Sequence, residues 1–108
     1  MTFEQAFTNL KELFAPADAS NFKGKLAYQI NIKGEGEGTF YVEIIDDKIT
    51  IEPYDYKDND AELTISYKDL VGMIKGEKDS VKLFLTGKLK INGSIEKAKM
   101  IENFYPKG

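Results

Sequence analysis

Hydrophobic and polar residues alternate in several short runs along this chain, and those runs are separated by segments with helical spacing. Leu26, Tyr28, Ile30 and Ile32 point one way, with Lys25, Gln29, Asn31 and Lys33 opposite, which is the period of a strand. After Gly34-Glu35-Gly36-Glu37-Gly38 the alternation resumes with Phe40, Val42 and Ile44 against Tyr41 and Glu43. Asp46-Asp47-Lys48 turns the chain again, and Ile49 and Ile51 oppose Thr50 and Glu52. Three strands with two short connections predict an antiparallel meander. A polar connection from Pro53 to Asp60 leads to a fourth strand, with Leu63 and Ile65 inward and Glu62, Thr64 and Ser66 outward. Lys88-Leu89-Lys90-Ile91-Asn92 predicts a fifth, stopped by Gly93.

The helical segments carry their own start and stop signals. Thr2 and Gln5 fit a capping box ahead of Phe3, Phe7, Leu10 and Phe14, and Pro16 ends that helix. Ser66 and Asp69 open a second helix, with Tyr67, Leu70, Val71 and Ile74 on one face and Gly76 at its end. Asp79 and Ser80 cap a third, short helix that carries Val81, Phe84 and Leu85 inward and ends at Gly87. Ser94 caps a last helix with Ile95, Ala98, Ile101 and Tyr105 along a stripe. Every strand is apolar on one side and every helix has one apolar stripe. The economical solution is a two-layer α+β domain, with helices on the dry face of the sheet and the other face wet. No internal repeat or linker interrupts the 108 residues, so a single domain spanning 1–108 is expected.

Composition removes whole classes of chemistry. The chain has no cysteine and no histidine. That excludes disulfides, thiol nucleophiles, histidine-based hydrolases, ordinary zinc sites and haem. No cofactor and no metal are expected. The net charge of −3, from 15 basic and 18 acidic residues, lacks the basic cluster that nucleic-acid binding requires. Lys88, Lys90, Lys97 and Lys99 read either as one solvated face or as a surface for transient contact with anionic lipid headgroups. No apolar run reaches membrane-spanning length, the N-terminus has no signal-like core, and Tyr105-Pro106-Lys107-Gly108 is no peroxisomal tripeptide, so a cytoplasmic location is expected.

Three local features invite a catalytic or binding reading and fail it on chemistry. The Gly34–Gly38 segment joins strand to strand and carries two glutamates, so it reads as a flexible hairpin loop rather than a phosphate cradle. Asp55, Asp58 and Asp60 lack the calcium-loop spacing and enclose Lys57, which leaves a solvated loop. Glu43 and Glu52 fall on the wet face of the sheet, away from any cleft that would suit them to acid–base work. The many phenylalanines and tyrosines fill either a plain core or the wall of a cavity. Short helices broken at Gly72, Gly76 and Gly87 lean toward a cavity with a removable lid.

The segment Asp60-Ala61-Glu62-Leu63-Thr64-Ile65-Ser66-Tyr67-Lys68-Asp69-Leu70, followed by Gly76, resembles a strand and helix of the sterol carrier protein family. Phe84-Leu85-Thr86-Gly87-Lys88-Leu89-Lys90-Ile91-Asn92-Gly93 is similar to that family's most recognisable signature, and Gly38-Thr39-Phe40-Tyr41-Val42 also fits its meander. Phe40 stands where many relatives carry tryptophan. The resemblance runs from Phe22 to Phe104 and implies a five-stranded mixed sheet with one face covered by helices. It further implies a non-catalytic carrier for a fatty acid, acyl-CoA, phospholipid or sterol. From the facing of each residue and the family layout, the expected cavity lining is Leu70, Met73, Ile74, Val81, Phe84, Leu85, Ile91, Ile101 and Phe104. The rival reading is a structural or dimerisation scaffold with a filled core. A small enzyme using Tyr, Asp or Glu is a third, and the oligomeric state is open.

Overall fold

A computed structural model describes residues 1–20 and 22–105. The tail reading at Pro106, Lys107 and Gly108 lies outside the described residues. The elements run α1 (Phe3–Phe14), β1 (Lys25–Lys33), β2 (Gly38–Ile45), β3 (Lys48–Glu52), β4 (Ala61–Ser66), α2 (Tyr67–Ile74), α3 (Ser80–Leu85), β5 (Lys90–Gly93) and α4 (Ile95–Lys99). A 3-10 helix, Met100–Phe104, continues α4.

The strands form one mixed sheet in the order β3-β2-β1-β4-β5. β1 is central, antiparallel to β2 and parallel to β4, and both outer pairs are antiparallel. The alternation read from the sequence sets the dry face: Leu26, Tyr28, Ile30, Ile32, Phe40, Val42, Ile44, Leu63 and Ile65 are all buried. Ala6, Leu10 and Phe14 of α1 close over it, with Phe14 edge-on to Phe40 at 5.9 Å between ring centroids. The expected α+β architecture, a five-stranded mixed sheet under helices, is the observed one.

The helix starts follow their capping chemistry. Both arms of the Thr2–Gln5 box are made, the Gln5 amide donating to Thr2 Oγ1 and the Thr2 amide to Gln5 Oε1. Ser66, Asp79 and Ser94 each accept a backbone N–H of the first turn they open. The last glycine of the hairpin loop serves close approach. A Cβ on Gly38 would stand 2.2 Å from the Phe3 ring, so α1 can lie this near β2 only over a glycine.

Four expectations are corrected. The fifth strand starts at Lys90, not Lys88, because the amides of Lys88 and Leu89 both donate to the Leu83 carbonyl and hold that stretch against the end of α3. The last helix tightens after Lys99 into the 3-10 turn, where the Asp18 amide binds the Phe104 carbonyl and the Tyr105 hydroxyl donates to the Phe14 carbonyl. The face of α3 differs too: Leu83 is the side chain buried in the core, while Val81, Phe84 and Leu85 are 45%, 38% and 75% exposed. Finally, the outer face of the sheet is not simply wet. The 53–60 connection folds back over it, with Tyr56 donating its amide to Gln29 and its hydroxyl to Glu43, and Ala27 beneath is fully buried.

Candidate functional site

The two short helices α3 and α4 face each other across one end of the dry side. Each presents residues at i, i+3 and i+4: Val81, Phe84 and Leu85 on α3, Ile95, Ala98 and Lys99 on α4. Leu63 of β4 and Ile91 of β5, direct partners across the ladder, also line the space between them. Met73 of α2, Ser80 and Leu89 complete the wall. The result is a cavity of about 190 Å³, almost entirely apolar, reaching solvent past the exposed side chains of Phe84, Leu85 and Ile95.

Five of the nine expected lining residues meet here: Met73, Val81, Phe84, Leu85 and Ile91. Leu70, Ile74, Ile101 and Phe104 do not reach it. Leu70, Ile74 and Ile101 are buried in the main core, and Phe104 packs edge-on against Phe22 at 5.5 Å between ring centroids. Leu63, Ser80, Leu89, Ile95, Ala98 and Lys99 were not foreseen as lining. For Ile95, Ala98 and Lys99 a signal existed: they repeat the spacing of the α3 face, with a lysine at the third position.

Two lining groups are polar. Lys99 is the one charged residue of the wall, and Ser80 is a largely buried residue beside it. No carboxylate lines the cavity. Nearby ionisable groups are occupied elsewhere. Burial opposes the charge on Asp60, but the Ala27 amide at 2.8 Å and the Lys97 ammonium at 3.0 Å outweigh it and hold the carboxyl below its ordinary value. The Lys78 ammonium, 2.6 Å away, likewise holds the Asp69 carboxyl down. Burial, reinforced by the charge of Asp60, pushes the Tyr28 phenol up, so its hydroxyl stays a donor to the Lys97 carbonyl. These groups tie structure together; none is placed as a general base in the cavity. Among the described residues no cluster of three potential ligands could hold a metal ion.

The four lysines considered as one face are separated. Lys97 pairs with Asp60, Lys88 lies beside Asp69, Glu77 and Asp79, and Lys90 sits across the ladder from Thr64 on the outer side of the sheet. Only Lys99 belongs to the cavity. No helix among the described residues is long and apolar enough to cross a membrane.

Comparison with known proteins gives a consistent picture. The sequence model of the SCP-2 sterol transfer family matches residues 3–105. A fatty acid-binding protein of Yarrowia lipolytica (strain CLIB 122 / E 150) is 40% identical over 45 residues, covering 42% of this chain and 35% of that protein. The chain therefore matches about a third of the length of that curated relative. Palmitated sterol carrier protein 2 like 2 from Aedes aegypti superposes with a TM-score of 0.67 at 18% identity, over 99% of this chain and 97% of that one. The inverting sec-alkylsulfatase Pisa1 from Pseudomonas sp. superposes at 0.82 and 12% identity, over 92% of this chain but 16% of that one. The same fold thus occurs at nearly this size and as a small part of a larger enzyme.

Proposed function

Because the chain belongs to the SCP-2 sterol transfer family, we propose that it is a non-catalytic carrier holding the apolar part of one lipid in the cavity between α3, α4 and the β4–β5 end of the sheet. Residues 1–108 are read as a single lipid-binding domain working in the cytoplasm. The observation that carries this reading is the pair of facing apolar surfaces, Val81, Phe84 and Leu85 on α3 and Ile95 and Ala98 on α4, kept apart rather than packed together. Candidate ligands are a fatty acid, an acyl-CoA, a phospholipid or a sterol.

The driving force is burial of hydrocarbon, about 0.8 kcal/mol per methylene. Sites for drug-sized ligands run from about 300 Å³ upward, and this cavity at about 190 Å³ is smaller. A long chain therefore enters as the wall yields, and α3 is the wall built to do so. It is six residues long and inserts Leu83 into the core, while its stripe over the cavity stays partly exposed.

Titration of delipidated protein with an environment-sensitive fluorescent fatty acid is expected to saturate near one site per chain. Ala98→Leu, which adds bulk inside the cavity, is expected to weaken that binding while the protein still melts cooperatively. Absence of saturable binding at any chain length would sink the carrier reading in favour of a scaffold whose exposed Phe84 and Leu85 meet another chain.

A further inference from the structure

The two edges of the sheet differ. At one end β5 lies against the cavity, and at the other β3 runs beside β2 alone. Among the described helices and strands no other element packs closely on β3, and no loop backbone hydrogen-bonds to residues 48–52. Every second residue of that edge therefore turns an N–H and a C=O away from the sheet, unpaired. Most devices that blunt such an edge are missing. β3 holds no proline, and its unbroken register with β2, from Lys48 opposite Ile45 to Glu52 opposite Tyr41, leaves no bulge. Ile49 and Ile51, opposite Ile44 and Val42, fall on the dry side, while Lys48, Thr50 and Glu52 fall on the outer side. Lys48 is the one residue of β3 that would deter a second strand, and Glu52 is placed to answer it.

The run Lys48-Ile49-Thr50-Ile51-Glu52 is self-complementary when paired antiparallel with a second copy of itself. About a two-fold axis at Thr50, Lys48 falls opposite Glu52 of the second copy, Ile49 opposite Ile51 and Thr50 opposite Thr50, and each pair shares one face of the sheet. A register centred on Ile49 or Ile51 sets Lys48 or Glu52 against Thr50 and loses both charge pairs. The other edge has no such complement, since Lys90–Gly93 contains a lysine and no carboxylate. We propose that β3 pairs with β3 of a second copy of this chain, giving a two-fold dimer whose two five-stranded sheets become one. This is independent of the carrier reading. Because the cavity lies against β4 and β5, pairing through β3 leaves both cavity mouths uncovered, at opposite ends of the joined sheet. Five residues of strand bury far less than the ~1,200 Å² at which stable interfaces begin, so the dimer is weak, with half-association at about 0.1–1 mM.

The experiment is sedimentation equilibrium of the full chain at low salt, from about 10 μM to about 1 mM, where monomer is expected to pass to dimer as concentration rises. Lys48→Glu or Glu52→Lys puts like charges at both cross-strand positions and is expected to weaken the dimer about tenfold. The double variant Lys48→Glu/Glu52→Lys restores opposite charges and is expected to recover wild-type association. An equimolar mixture of the two single variants is expected to dimerise where neither does alone. Raised salt should narrow these differences. Thr50→Lys is a third disruption at an exposed position: it faces Glu43 on β2 within the chain but sets two lysines together at the axis. Cooperative thermal melts of each variant show that the fold is kept. A monomer at every concentration would overturn the proposal. So would a double variant and a mixture that fail to reassociate. A dimer indifferent to all three single substitutions would also overturn it, and would move the contact to another face, such as the exposed Phe84 and Leu85 of α3.

Discussion

Gly93 lies directly against the backbone of Asp60: a Cβ at position 93 would stand 2.8 Å from the Asp60 carbonyl oxygen. The same carbonyl accepts the Ser94 amide at 3.0 Å, and the Asp60 side chain accepts from the Ala27 amide and from Lys97. One aspartate thus joins β1, the entry to β4, the exit of β5 and α4.

This contact makes Gly93→Ala costly for two reasons, since the position also has φ +102°. Backbone strain of this kind costs of order 1–3 kcal/mol, and the clash is with backbone, which cannot rotate away. Urea denaturation is expected to show a loss in that range with an unchanged m-value. A loss below half a kilocalorie, at roughly the scatter of ordinary surface substitutions, would mean that β5 shifts freely and that the junction is not rigid.

Phe40 and Phe84 separate core from cavity wall. Phe40 is fully buried and touches the rings of Phe7 and Phe14, so Phe40→Ala is expected to cost about 3–5 kcal/mol. Phe84 is partly exposed at the cavity mouth. Phe84→Ala is expected to cost about 1 kcal/mol or less and to alter the preferred chain length of bound fatty acids. Comparable thermal destabilisation by both substitutions would show Phe84 to be core after all.

The Asp60 carboxyl has a folded pKa below the ordinary 3.8. Its contribution is therefore complete well above that value and is lost as pH falls through 3.8 toward the lower folded value. Asp60→Asn is expected to destabilise the protein by about 1–2 kcal/mol at neutral pH, as a charge-assisted hydrogen bond is lost. The difference from wild type should narrow below pH 3.8. Chemical denaturation at pH 7 and pH 3 checks this, and a difference independent of pH would show that the charge of Asp60 contributes nothing.

Asp79 accepts the Val81 amide and starts α3. Asp79→Ala is expected to remove about 1 kcal/mol of capping and to fray this helix before the rest. Hydrogen exchange should quicken at the α3 amides while those of β1 and β4 change only with global stability. If exchange in α3 already follows global unfolding in both proteins, the helix is not a separable wall.

Most of the fold was legible because a strand's period of two leaves little freedom. Once Leu26, Tyr28, Ile30 and Ile32 share a side, the buried face of β1 follows, and the same holds for Phe40, Val42 and Ile44. The α3 segment resisted the same reading for a physical reason. Four of its six residues are apolar, Val81, Leu83, Phe84 and Leu85, so any rotation about the axis buries something greasy, and only tertiary packing chooses Leu83. The covering of the outer sheet face was hidden because it depends on Tyr56 reaching Glu43 from a connection with no periodic pattern. Lys99 was passed over because a charged residue on an apolar stripe reads as an interruption, whereas a long stem can lie along that stripe and carry its charge to the edge.

Placing β1 in the middle, with a parallel partner drawn from the second half of the chain, has a consequence for the order of synthesis. When the ribosome has released β1, β2 and β3, that hairpin pair can form, but the other edge of β1 still shows open backbone donors and acceptors. Its partner is β4, so Tyr28 must wait for Ala61, and Lys33 for Ser66. Until then the nascent meander is an unprotected template for stray strands. The Asp60 side chain, arriving just ahead of β4 and binding the Ala27 amide, ties the incoming strand to the backbone of β1.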